Sequence, residues 1–432
     1  MSQPLDPAST LKRVVGLPGA IFMGLGSILG TGIFVSIGLA ASIAGSDVLL
    51  AVALAAVVAT FNGLSSASLA ASHPVSGGTY AYGYRYLSPA FGFTAGWMFL
   101  CAKSASAATA ALGFAGYALS YFDAGRPAQI ALAFTLVIAF TALTAGGLSR
   151  SNRTNALIVV GTLAALIAFI AFGLPMAFVE HTIRPTPATP LSSLLEATAL
   201  MFVAYTGYGR IATLGEEVIE PQRTIPRAII LTLGISMVLY LGVTAVALSA
   251  VGYSGLAGAT GNDAAPLAIV AEFFGVPALP WLVSLGALTA MASVLLNLIL
   301  GLSRVLFAMA RNRDMPPALA HTHDGSPRRA VLVMGAIIAA LVLIGSVKTT
   351  WTFAAFSVLV YYAITNLAAL RLPREHRRYP RIVPALGLAT CLGLAFWVEP
   401  TIWGIGLGLI AVGLGWQQVA RRLYGRTSTA SH

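Results

Sequence analysis

The sequence predicts an all-α integral membrane protein, and three observations carry that prediction. Of 432 residues, 57% are hydrophobic and only 9% are charged, with a mean hydropathy of +0.84, far from the makeup of a water-soluble domain. The apolar residues form runs of about 20 or more, the length that crosses a hydrocarbon core, which leaves room for about a dozen spans. The basic residues gather in the short connections between those runs. A formal charge of +11 would otherwise suggest nucleic acid; arranged this way it sets orientation in a lipid bilayer, and no nucleic-acid partner is expected.

Residues 1–16 form a polar tail ending in Lys12-Arg13. Span 1 is expected over 17–44; it is too long for a signal-peptide core and no small-residue cleavage site follows, so it is retained. Span 2 is expected over 48–72. The next stretch, 73–86, is rich in turn formers and tyrosine and reads equally well as a re-entrant or interfacial segment or as a plain aromatic belt. Spans 3, 4 and 5 follow over 90–121, 127–148 and 155–175, and a loop with Pro185, Pro187 and Pro190 marks a boundary. Spans 6 and 7 cover 191–214 and 225–251. A Gly-rich connection over 252–277 contains 264–274, which could form a short surface helix. Spans 8 to 12 cover 278–311, 330–346, 350–370, 382–398 and 401–419.

An even number of spans puts both termini on one side. Of 25 basic residues, Arg126, Arg184 and Lys348 then fall on the opposite side and Lys103, Arg210 and Arg304 within spans; all the rest share the terminal side. The positive-inside rule makes that side cytoplasmic.

Two spans contain poor helix sequence. Gly26-Ser27-Ile28-Leu29-Gly30-Thr31-Gly32-Ile33-Phe34 has three glycines in seven residues, each about 1 kcal/mol worse than alanine in a helix. Phe202-Val203-Ala204-Tyr205-Thr206-Gly207-Tyr208-Gly209 is a similar interruption in span 6. Unwound backbone inside a membrane must be buried in protein or line a cavity, and paired interruptions in corresponding segments point to a midplane binding site. The plainer alternative is that these glycines are packing faces for close helix contact. At a true break, half-helix N-termini attract a carboxylate while unwound carbonyls accept from an ammonium group. A pair of breaks therefore suits a zwitterionic amino acid, read by backbone alone.

Charge inside a span costs about 2.5–3.5 kcal/mol even on lenient scales and marks ion or substrate pathways. Lys103 has no acidic residue deep in any span to pair with. Three roles stay open for it: a desolvated proton carrier, a fixed cation bonded to broken-helix carbonyls, or a lysine reaching for the interface. Arg210 lies about one turn beyond the span 6 interruption, within reach of a ligand, with Glu216 or Glu217 as the favoured partner. Arg304, near the end of span 8, is adequately explained by snorkelling. Cys101 and Cys391 lie in apolar runs, so neither a disulfide nor a metal site is expected. The histidines, at 73, 181, 321, 323, 376 and 432, fall in loops or tails. No nucleophile–base pair, metal cluster, phosphate loop or cofactor motif is present, which argues against an enzyme.

Four stretches together resemble the amino acid-polyamine-organocation (APC) superfamily. They are 26–34; Pro74-x-x-Gly77-Gly78-x-Tyr80 leading to Gly96-Trp97; Glu216-Glu217-x-x-x-Pro221-x-Arg223-x-Ile225-Pro226-Arg227-Ala228; and Ser303-Arg304-x-x-x-x-Met309-Ala310-Arg311 with Pro316. The resemblance implies a LeuT-type fold of twelve transmembrane helices. Residues 17–175 and 191–371 would be inverted repeats of five helices each, 382–420 two further helices, and 1–16 and 421–432 cytoplasmic tails. It implies that Ile28, Gly30, Thr31 and Gly32 surround the substrate carboxylate. Phe202, Val203, Ala204, Tyr205, Thr206 and Gly207 would receive the amino group and side chain. Some proton-coupled relatives carry a lysine in span 5 where this chain has Thr162 or Gly161, which makes Lys103 a candidate substitute. The acidic residue often found after the span 6 break is here Gly209, which with Arg210 argues against a dedicated carrier of cationic substrates. The implied function is secondary transport of amino acids, neutral more than charged, coupled to protons or to an exchanged amino acid. Rivals are an exporter or polyamine carrier of the same fold and, from another class, a channel or non-transporting subunit; the absence of a pore-lining charge ring argues against a channel.

Overall fold

The computed structural model describes residues 13–75, 77–122, 124–147, 152–175, 189–213, 215–261, 265–322 and 327–424. The outer parts of both tails, and the loop holding Arg184, Pro185 and Pro187, lie outside the described residues. The described residues are helical, and the one departure toward sheet is an isolated parallel bridge between Val15 and Val218. Eight helical stretches are long and apolar enough to cross a membrane, and Leu17–Ile28 and Ile382–Ala395 are shorter apolar helices.

Span 1 is three pieces: α1 (Leu17–Ile28), α2 (Thr31–Phe34) and α3 (Ser36–Ala44). Gly45, at φ 56°, turns the chain into α4 (Val48–Ser72). The tyrosine-rich stretch forms α5 (Thr79–Tyr86), whose Thr79, Tyr80, Tyr82 and Gly83 are buried, so it is a packed segment and not a plain belt. Then come α6 (Pro89–Leu119), α7 (Arg126–Ala145) and α8 (Asn152–Gly173). Proline at the first turn of α6 and α7 supplies a preset φ where no N–H partner is needed.

Span 6 is α9 (Leu191–Tyr205), a 3-10 turn Thr206–Tyr208, and α10 (Gly209–Ala212). The interruption therefore begins at Thr206. Phe202 to Tyr205 stay helical, because nothing in those residues breaks a helix and all four are buried against neighbours.

The next helix, α11 (Pro221–Gly261), kinks at Gly252 (φ 67°), just past the expected end of span 7. The expected surface helix is α12 (Pro266–Glu272), and its position is corrected: Pro266, Leu267, Ala268, Val270 and Ala271 are buried, because its apolar face packs on α11 and on α13 (Leu279–Arg311). The chain closes with α14 (Arg328–Leu343), α15 (Val347–Leu370), α16 (Ile382–Ala395) and α17 (Pro400–Tyr424).

The N–H groups of Val14 and Val15 donate to Glu217 O at 3.0 Å, and Ile219 N–H returns to Val15 O at 2.9 Å. Arg313 Nη1 donates to Tyr424 O at 3.0 Å. Both described ends of the chain thus sit beside the loops that follow α10 and α13.

Candidate functional site

The two interruptions meet. A Cβ on Gly207 would run into the backbone carbonyl of Ser27 and come within 2.6 Å of Ile28 N. A Cβ on Gly32 would meet Ala204 Cβ at 2.5 Å and its Cα at 2.8 Å. No side chain fits at either crossing. In span 1, Leu29 is extended (φ −74°, ψ 98°) and Gly30 leaves the helical region (φ −171°, ψ −133°). The N–H groups of Ile33 and Phe34 both return to Gly30 O. Thr31 is 3% exposed and its hydroxyl has no hydrogen-bond partner among the described residues, an uncommon state for a buried polar atom.

A side chain that the sequence does not point to joins the two breaks. The Tyr240 hydroxyl, from α11, lies 2.9 Å from Ile28 O and 3.2 Å from Ala204 O. Tyr362, from α15, donates to Thr206 O at 3.2 Å and packs edge-on to Phe202 with centroids 5.6 Å apart. The Thr206 hydroxyl donates to Val203 O at 2.7 Å and accepts from Lys103 Nζ at 3.1 Å. Lys103 is therefore at the span 6 break, not at an interface. Thr162 is buried on α8, donates to Ile158 O of its own helix at 2.9 Å, and is not part of the cavity lining.

Beside this junction opens a cavity of about 570 Å³. Its head is Ser27, Thr206, Gly207 and Lys103; its walls include Arg210, Arg304, Tyr362 and Asn297; its mouth carries Glu216, Glu217 and exposed Arg311. The mouth is on the face that holds both described chain ends. Toward the opposite face the path is closed: Tyr117, 1% exposed, donates to Phe34 O at 2.8 Å and accepts from Leu267 N–H at 3.3 Å.

Arg210 has Glu217, one of its expected partners, as the carboxylate that acts on it. The charges facing Arg210 are Arg304 and Glu217, and neither arginine makes an ion pair among the described residues. Arg304 lines the cavity from α13 and is exposed there, so its charged head still meets water, as snorkelling requires.

The cavity rim is a polar clasp. Tyr80 and Tyr84 of α5 donate to Asp314 Oδ2 at 2.7 and 2.6 Å, and Asn312 Nδ2 donates to Tyr80 at 2.8 Å. Trp416 of α17 donates to Asp314 O at 3.0 Å. Burial first, then the Asp314 carboxylate, pushes both phenols above their ordinary value, so they remain donors.

Interrupted helices touching at the head of a cavity, in an all-helical molecule with several membrane-length helices, define a multi-pass membrane protein that takes a small solute. Comparison with known proteins sharpens this. The chain matches the amino acid permease family over residues 19–427. It is 42% identical to an uncharacterized transporter of Mycobacterium tuberculosis (strain ATCC 25618 / H37Rv) over 429 residues, 98% of this chain and 95% of that protein. It is 26% identical to the branched-chain amino acid permease BcaP of Bacillus subtilis, covering 96% of this chain and 90% of the relative. A methylthioribose transporter of the same organism is 25% identical over 94% of this chain and 93% of its own length. The chain belongs to the amino acid permease family, within the APC superfamily.

Proposed function

We propose that this chain is a secondary transporter that carries amino acids across the cytoplasmic membrane by alternating access, moving its substrate without transforming it. It uses the LeuT-type plan of two inverted five-helix repeats plus two further helices, with both termini in the cytoplasm. The observation that carries the reading is the contact of the two breaks beside the unpartnered Thr31 hydroxyl. The free N–H groups at the start of α2, with that hydroxyl, suit a carboxylate, and the carbonyls of Ile28, Val203 and Thr206 suit an ammonium group. In this state those three carbonyls accept from Tyr240, Thr206 and Tyr362 hydroxyls, which the ligand's ammonium would displace. Lys103, Arg210 and Arg304 oppose a cationic side chain, which leaves amino acids whose side chains are not positively charged. The relative named for methylthioribose makes a different solute the main rival.

The test is thermal unfolding of the purified protein with a panel of amino acids, amines and methylthioribose. A ligand of the folded state raises stability by mass action, about 2.7 kcal/mol at 100 times Kd. Amino acids should stabilise the parent and not Gly32→Leu, whose side chain would fill the contact with Ala204. Stabilisation unchanged in Gly32→Leu would remove the site from this position, and stabilisation by methylthioribose alone would replace the substrate.

Coupling is to protons or to an exchanged amino acid, and Lys103 is the proposed coupling residue because it bonds Thr206 at the break. In proteoliposomes Lys103→Ala should retain counterflow within about threefold while losing pH-driven accumulation, since it removes the titrating ammonium and leaves the backbone site. Accumulation that survives would make Lys103 a fixed cation and not a proton carrier.

A further inference from the structure

We propose that Arg210 and Arg304 form a carboxylate subsite in the cavity, so that the amino acid carried bears a second carboxylate on its side chain. The inference rests on the amino acid reading above and names the substrate class.

Arg210 is half-buried and Arg304 is exposed where it lines the cavity, and charges within spans mark ion or substrate pathways. The two arginines line one cavity, where Arg304 acts on Arg210 as a like charge and Glu217 as the opposite one, and neither arginine is ion-paired among the described residues. Across the cavity lining, Lys103, Arg210, Arg304 and Arg311 stand against Glu216 and Glu217, which leaves an excess of positive charge. An anionic group among them would offset their mutual repulsion. Arg210 Nη1 lies 3.8 Å from where a Cβ on Gly301 would be, over the face of α13 that carries Arg304 three residues later. A guanidinium fork suits a carboxylate better than a neutral group.

Distance selects the same class. Arg210 follows Thr206 by four residues, a rise of about 6 Å along a helix. An amino acid held at Thr206 and Gly207 would therefore place an acidic side chain of two or three carbons at the arginines, while a shorter side chain would fall short of them.

Glutamate and glutamine have the same shape and differ in charge, which makes them the discriminating pair. In thermal-unfolding titrations of the full-length protein, glutamate should bind about tenfold more tightly than glutamine, as expected for a charge-assisted contact. Arg210→Gln should bring the two ligands within about threefold of each other. Arg304→Gln, on a different helix, should do the same, so misfolding of one variant leaves the other as the test. Equal or tighter binding of glutamine by the parent overturns the subsite and leaves the amino acid reading standing. A glutamate preference that persists in either folded variant also overturns it. If no amino acid stabilises the parent, the amino acid reading falls and the subsite with it.

Discussion

The breaks in spans 1 and 6 are made differently. In span 1 the chain leaves the helix outright: Leu29 is extended, Gly30 is far from helical angles, and Val35 is irregular again four residues after Thr31 begins the short turn. In span 6 the backbone stays near helical angles, with Thr206 at φ −73°, ψ 1° and Gly209 at φ −54°, ψ −25°; only the hydrogen-bond spacing tightens. Span 1 thus frees backbone groups, while span 6 mainly presents a thin surface for span 1 to lie on. Glycine serves closeness in both breaks: a Cβ at Gly30 would meet Val294 Cγ2 at 2.7 Å, and one at Gly32 or Gly207 would strike Ala204 or the Ser27 backbone.

The largest expected effect tests the thin surface. Gly207→Ala drives a methyl into the Ser27–Ile28 backbone, which has no rotamer to escape through; about 3 kcal/mol of stability and all uptake should be lost. Thermal unfolding and proteoliposome uptake measure this, and a variant as stable as the parent would end the description of span 6 as a contact face. Next come the tyrosines. Tyr240→Phe removes the hydroxyl shared between Ile28 O and Ala204 O, which ties span 1 to span 6, and should cost about 2 kcal/mol, whereas Tyr362→Phe removes one carbonyl bond, to Thr206 O, and should cost about 1 kcal/mol. The order of those two melting temperatures is the informative result, because a reversed order would put the main tie on span 6. The smallest effect is a control. Gly161 on α8 has nothing within 4 Å of the place a methyl would take, so Gly161→Ala should leave transport intact and add about 0.5–1 kcal/mol through helix propensity.

Long apolar runs are legible from the residues because length and hydropathy decide them. Span 3, expected over 90–121, is Pro89–Leu119, and the expected end of span 7 falls at the Gly252 kink. Short elements are less legible. The burial of α12 depends on what its Leu267 and Val270 meet, which local pattern does not report. In the site, the glycine-rich stretches point to the right junction, but the span 6 break starts at Thr206, four residues beyond the Phe202 expected from sequence. Tyr240 and Tyr362 are hidden in the sequence because a tyrosine inside an apolar helix reads as core until its hydroxyl is seen to have carbonyl partners. The position of Arg304 near a helix end suggests a solvated head group, and it is exposed, but position alone does not say that it lines the cavity.

The backbone bridge between residues 14–15 and 217–219 has a mechanical consequence. It joins the start of α1 to the segment just after α10, so the terminal-side halves of the two interrupted helices are yoked at their outer ends as well as touching at their inner ends. Two rods pinned at both ends swing as one lever. A pair of spin labels on Val14 and Ile219 should then hold one separation through the transport cycle, while labels spanning Val14 and Arg311 across the mouth should report the swing.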